Sequence, residues 1–287
     1  MEVIELSEDN LELYADIVGP DGAENIGREF YRGFVLSSTG EKADCAAVWE
    51  LLHLEDDDKD TEARIEALYA SSDKAGEELI DRCSYLFEED GVCRSFFELP
   101  AGDEHLPVDL LERSGYEINK GEGRVIVTTL GDLLKLPFAK RKKVPSYVRE
   151  LGSLMVRPFR RGVMDCIYRS KRALMEDLGT IPMSWFEQQV SSYVETDDRV
   201  SGFLLVHMCA SGRLKVEVFT STESTARWDL LNMMTFSVKQ AASIYPEDTE
   251  VVICRRDDDV MKLIDYLLPG VNGKDVYYGN RNEERKD

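Results

Sequence analysis

Hydrophobic residues recur along this chain in two rhythms, and the order of the rhythms is the same in both halves. The opening "VIELSEDNLELYADIV" begins as a strand and passes a Ser-Glu-Asp-Asn cap. It continues with Leu11, Tyr14, Ala15 and Val18 at helical spacing. "REFYRGFVLSSTGEKADCAAVWELL" reads as a hairpin around Ser-Ser-Thr-Gly, and "ARIEALYA" as a strand. A loop, "SSDKAG", follows, then a helix through Leu79, Cys83, Leu86 and Phe87 that stops at Gly91. "VCRSFFELP" is a strand, "LPVDLLERSG" a short helix and "GRVIVTTL" a last strand.

The second half repeats this order. "YVETDDRVSGFLLVHMC" predicts a hairpin with an Asp-Asp turn, and "GRLKVEVFT" a strand with Leu214, Val216 and Val218 on one face. "STESTARWDLLNMMTFSVKQAAS" is loop plus helix. "EDTEVVICRR" is a strand, "DDDVMKLIDYLLPG" a helix ending at Gly270, and "KDVYYGNR" a final strand. Self-similarity over so long a period points to duplication. The break falls near 136–145, where Pro137, a Lys/Arg cluster and Pro145 interrupt regular structure, giving domains over 1–138 and 139–287. Each half is α/β (α+β): a mostly antiparallel sheet flanked by helices, with one helix crossing between two strands that should be parallel.

Composition narrows the function classes. The chain has 287 residues, 43% hydrophobic and 32% charged, the profile of a globular protein. No apolar run is long enough for a membrane helix and Met1 opens into an acidic stretch, so a cytoplasmic protein with no membrane partner is expected. The six cysteines form no CxxC motif, which predicts reduced thiols and no metal. A net charge of −21 opposes nucleic acid and favours cationic ligands. Residues 135–172 run against that charge with many Lys and Arg. They are read as a solvated face, or as a partner for acidic surface such as 55–60.

The two strand–loop–helix junctions carry the candidate chemistry. Backbone amides at a helix start lack internal partners and sit at the positive end of the dipole, so they suit a phosphate. Ser71, Ser72, Asp73 or Thr222 suits a plain N-cap equally well. Lys74 and Arg227 each add a cation beside a junction. Glu217 alternates away from its apolar neighbours toward a cleft, while Glu66 is the weaker counterpart because loop alignment sets Ala67 opposite Glu217. His53 and His105 fall in expected loops, His207 reads as a satisfied sheet histidine, and Trp49, Trp185 and Trp228 as packing residues.

This order of elements resembles the GNAT acyltransferase family in tandem. The family's pyrophosphate loop, Gln/Arg-x-x-Gly-x-Gly/Ala, is matched only at its last position: by Gly76 in Ser71-x-x-Lys74-x-Gly76 and by Ala226 in Ser221-x-x-Ser224-x-Ala226. The resemblance implies acetyl-CoA as co-substrate, held by Val218, Phe219, Thr220, Ser221, Ser224, Ala226 and Arg227 in the second copy. In the first copy the corresponding residues are Ala70, Lys74 and Gly76. It further implies that Tyr266, four residues before Gly270, protonates the leaving thiolate; Leu111 stands at that place in the first copy. Glu217 is then the general base, and the acceptor a primary amine on a small molecule or peptide, with a homodimer admitted. The alternative is an inactive GNAT-like protein that serves as a CoA-binding or protein-interaction module.

Overall fold

The computed structural model describes residues 1–28, 30–40, 42–53, 61–103, 105–170, 178, 181–222, 226–254, 258–269, 271 and 273–283. In chain order the elements are β1 (Glu2–Glu5), α1 (Leu11–Val18), α2 (Pro20–Ala23), β2 (Tyr31–Ser37), β3 (Ala43–His53) and β4 (Thr61–Ala70). There follow α3 (Asp73–Glu89), β5 (Val92–Pro100), α4 (Val108–Arg113), β6 (Glu117–Thr129), α5 (Leu130–Lys135), β7 (Val148–Glu150) and α6 (Val156–Ser170). Then come β8 (Ser192–Thr196), β9 (Arg199–Met208), β10 (Leu214–Ser221), α7 (Ala226–Ile244), β11 (Glu250–Cys254), α8 (Asp258–Leu267) and β12 (Lys274–Asn282). His53 therefore closes a strand, where a loop was expected.

Two compact units result: Met1–Glu122 with Asp275–Asp287, and Gly123–Lys274. In the first unit the strand order is β1-β2-β3-β4-β5-β12, and every pair is antiparallel except β4–β5. In the second it is β7-β8-β9-β10-β11-β6, again with one parallel pair, β10–β11. The duplication is thus reproduced strand for strand, with one correction. The last strand of each sequence half pairs in the other half's sheet: Thr129–Val125 of β6 against β11, and β12 against β5. The contact units therefore follow strand pairing and differ from a single division at 138/139.

Local sequence accounts for the turns. Asp197 and Asp198 both take positive φ (52° and 62°), the two-residue turn that matches the twist of a hairpin. Gly91, at φ +68°, follows the α3 C-cap Asp90 in the left-handed conformation that glycine adopts without strain. Each sheet is covered on both faces. In the first unit α3 covers a core of Ile65, Leu68, Leu79 and Phe87, and α1 covers Tyr14, Val35 and Val48. In the second, α7 covers Leu214, Val216, Met233 and Ile264, while α6 covers Phe159, Phe203 and Val218.

Both parallel pairs end at a bulge. Val216 faces Val206 and Val218 faces Leu205, which leaves Glu217 as the extra residue of β10. Val48 faces Ala67 and Trp49 faces Ile65, which leaves Glu66 extra in β4. A single inserted residue exchanges the two faces of a strand. Leu214 and Val216 accordingly share a core with Phe219, while Val218 turns to the opposite core. This corrects the expectation that Leu214, Val216 and Val218 share one face. It also makes Glu66, not Ala67, the counterpart of Glu217. The parallel pairing stops one residue before each bulge, at Ile65–Phe97 and Val216–Ile253.

Candidate functional site

In the second unit the predicted residues gather where β10 leaves the sheet. Side chains of Val218 and Phe219 enter the two cores, so only their backbone is left to meet a ligand. Thr220 is buried, and its Oγ1 has no hydrogen-bond partner. Ser221 Oγ donates to Asp229 Oδ2 at 3.4 Å, tying the strand end to the first turn of α7. Ser224 and Gly270 lie outside the described residues. Ala226 opens α7, and the next residue, Arg227, is exposed with its guanidinium carbon 5.0 Å from the centroid of the Tyr266 ring. Tyr266 itself, on α8, is 66% exposed. A cation and a phenol separated by 39 positions therefore meet at the head of one helix.

Glu217, expected to point toward a cleft, is buried at the bulge. Its Oε1 accepts a 2.8 Å ion pair from Lys215 Nζ. Glu66, its counterpart, is held by Arg64, which also pairs with Glu50 at 2.6 Å. Both bulge carboxylates are thus matched by a basic residue two positions earlier on the same strand.

A polar network that sequence reading missed braces α7. Arg141 Nη1 donates to Asn232 Oδ1 and Asn232 Nδ2 donates to the Tyr147 hydroxyl, both at 2.8 Å. Lys239 donates to the Arg141 carbonyl, and Thr235 Oγ1 to that of Phe138 at 3.3 Å. Burial, reinforced by the nearby Asp229 carboxylate, pushes the Tyr147 phenol above its ordinary value. Part of the basic 135–172 run is therefore a strap over α7; its suggested pairing with 55–60 falls outside the described residues. The signal for the strap was available: Asp229, Asn232, Thr235 and Ser237 are polar residues among the buried positions of α7.

The first unit differs in detail. Ser72 is the N-cap of α3, accepting from the Ala75 amide at 3.3 Å. Lys74 is exposed beside it. Gly76 serves packing: a Cβ there would sit 2.5 Å from Leu110 Cδ1 of α4. The Ala70 amide donates to the His105 carbonyl at 3.0 Å, and the His105 ring packs on Tyr69 at 4.8 Å. A cleft of about 610 Å³ opens beside the α3 start, lined by Ser71, Ser72, Asp73, His105, Asp109 and Arg113. Leu111 is buried and presents no proton donor.

Other expectations sort as follows. His207 stacks on Trp185 (3.6 Å, 5°) with Nδ1 2.8 Å from the Trp185 carbonyl, a satisfied sheet histidine. Trp49 packs edge-on against Phe34 and Phe87. Trp228, expected to pack, is instead exposed because it falls on the outer face of α7. Cys45, Cys83 and Cys166 are buried thiols, each pushed up to about 12 by burial.

A ligand with a pyrophosphate and a thioester arm needs open amides, a cation and a proton donor together. The second unit brings a cation, Arg227, and a phenol, Tyr266, together at the head of α7. The first offers a helix start, but the strand amide at Ala70 is taken and the buried Leu111 stands at the place matching Tyr266. Among the described residues, no helix is long and apolar enough to cross a membrane.

No family model and no curated protein matches the chain. Solved structures do. A tandem GNAT protein from the clavulanic acid biosynthesis pathway superposes with TM-score 0.65 and 14% identity, over 100% of this chain and 99% of that one. A GCN5-related N-acetyltransferase from Sphaerobacter thermophilus gives 0.55 at 13% identity, over 99% and 96%. The glucosamine N-acetyltransferase region of a fungal multi-domain GH3 β-N-acetylglucosaminidase gives 0.63 at 12% identity, over 98% of this chain and 38% of that one. With the same strand order, parallel crossover and bulged strand in each unit, the chain has the tandem GNAT fold.

Proposed function

We propose that this chain is an N-acyltransferase that moves an acetyl group from acetyl-CoA to a primary amine, with the chemistry in the second unit. The observation that carries the proposal is Arg227 over Tyr266 at the head of α7, beside a parallel pair that ends at the Glu217 bulge. Acetyl-CoA supplies the activated acyl group as a thioester. Arg227 and the first amides of α7 hold phosphate oxygens. The β10 backbone at Val218 polarises the acyl carbonyl, a fixed dipole aimed where negative charge develops. Glu217 takes the proton of the attacking amine at Oε2, the oxygen not held by Lys215. Tyr266 returns a proton to the departing sulfur, a step of the kind worth about 10²–10⁴ in rate.

The first unit, with its strand amide closed by His105 and Leu111 in the tyrosine's place, supports a packing or binding role in the same protein. The −21 charge favours a cationic acceptor by raising its local concentration. Thiol release from acetyl-CoA across polyamines, amino sugars and lysine-containing peptides tests the assignment. Turnover with at least one amine is expected. Cofactor binding with no turnover on any of them would favour the binding-module reading instead.

A further inference from the structure

The α6 helix carries four arginines, no lysine and a single acid, Asp165, in a chain whose net charge is −21. Its inner face is committed to the protein's own core: Phe159, Val163 and Cys166 pack with Tyr193, Phe203 and Val218. Gly162 lets the helix sit close on β9, since a Cβ there would lie 2.7 Å from Val200 Cβ. The outer face presents Arg157, Arg161 and Tyr168 in one stripe, at spacings that stack on the same side of a helix, with Arg160 and Arg169 flanking them. All five are exposed, Tyr168 at 73%, and Met155 at the helix head is 74% exposed. Arg157 and Arg161 stand one turn apart, a like-charge spacing that slightly weakens a helix. Among the described residues, neither the packing of the core nor the proposed acetyl-transfer site uses Arg157, Arg161 or Tyr168.

We infer that the outer face of α6 is a docking surface for an acidic protein segment with an apolar anchor. Arginine forks suit carboxylate pairs, and the exposed ring of Tyr168 offers apolar surface for the anchor. A membrane is disfavoured because the apolar face of α6 is already buried and cannot enter a bilayer. A long nucleic acid would extend past a helix of about 22 Å into the field of an acidic protein. A short acidic segment meets only the stripe.

The test is fluorescence anisotropy of a labelled Glu/Leu peptide with the full-length protein at low salt. A Lys/Leu peptide, a single-stranded oligonucleotide and anionic phosphatidylglycerol vesicles serve as comparisons. Saturable binding of the Glu/Leu peptide is expected, weakened by salt and by about tenfold in Arg157→Gln/Arg161→Gln/Arg169→Gln. Tyr168→Ser should weaken it independently, which keeps the test open if the triple variant fails to fold. Absence of Glu/Leu binding overturns the inference. Binding unchanged in the folded variants, or equal or tighter binding of oligonucleotide or vesicle, overturns it as well.

Discussion

Arg227 and Tyr266, 39 positions apart, meet with the guanidinium carbon 5.0 Å from the centroid of the phenol ring, at the point where α7 begins. The contact joins the residue suited to hold phosphate with the residue suited to protonate sulfur. Replacing Tyr266 by Phe keeps the ring under Arg227 and removes only the proton. The expected result is a fall of about 10²-fold in kcat with CoA affinity nearly unchanged, read by thiol release and calorimetry. An equal loss in affinity would make the phenol a binding group only.

Gly202 stands where β9 meets the end of β10. A Cβ at this position would lie 2.7 Å from the Thr220 carbonyl and 3.1 Å from Ser221 Cα, both backbone atoms. Gly202→Ala should therefore cost about 1–3 kcal/mol in urea unfolding, because a strand cannot yield as a side chain does. Gly76→Ala clashes chiefly with the end of Leu110, which can yield, so its cost should be smaller and CoA affinity should be unaffected.

The buried thiols set a pH window. Cys45, Cys83 and Cys166 are raised from 9.0 to about 12 by burial. Between these values the unfolded chain releases protons that the folded chain keeps. Stability from these groups is complete below pH 9 and falls as pH rises toward 12, by up to about 1.4 kcal/mol per pH unit for each thiol. Below pH 9 they should resist a disulfide reagent in the native protein and react once it is unfolded.

The exchanged strand makes the first unit depend on the chain's end. Arg281 forms two bonds to Glu283 (3.0 and 2.7 Å) and donates to Ser84 Oγ and the Ser114 carbonyl. Ser95 donates to Glu283 at 2.5 Å. Arg281→Ala leaves a largely buried carboxylate without its cation and should cost about 3 kcal/mol. Hydrogen exchange should speed up first in β5 and β12. Uniform exchange across both units would argue against the pairing.

Much of this fold was legible because hydrophobic period, caps and glycine stops are local. The hairpin at Asp197–Asp198, the helix from Asp73 and the two parallel crossovers are all written in short stretches. The bulges are fainter, although the phase slip was present: apolar positions run 63, 65, then 68, 70 in β4, and 214, 216, then 219 in β10. The exchange of β6 and β12 has no local sign. "DVYYGNR" alternates in the same way whichever strand it pairs with, and register against β5 is decided by tertiary packing. For the candidate site, the family resemblance singled out Tyr266 and the charge beside a helix start singled out Arg227, but only the fold could bring them together, bury Glu217, or assign Gly76 to Leu110.

Calorimetric titration of the full chain with acetyl-CoA tests the central claim most directly. Saturable binding at one site per chain is expected, weakened about tenfold by Arg227→Glu and hardly changed by Lys74→Glu. No heat at millimolar acetyl-CoA, or a loss caused by Lys74→Glu and not by Arg227→Glu, would contradict it.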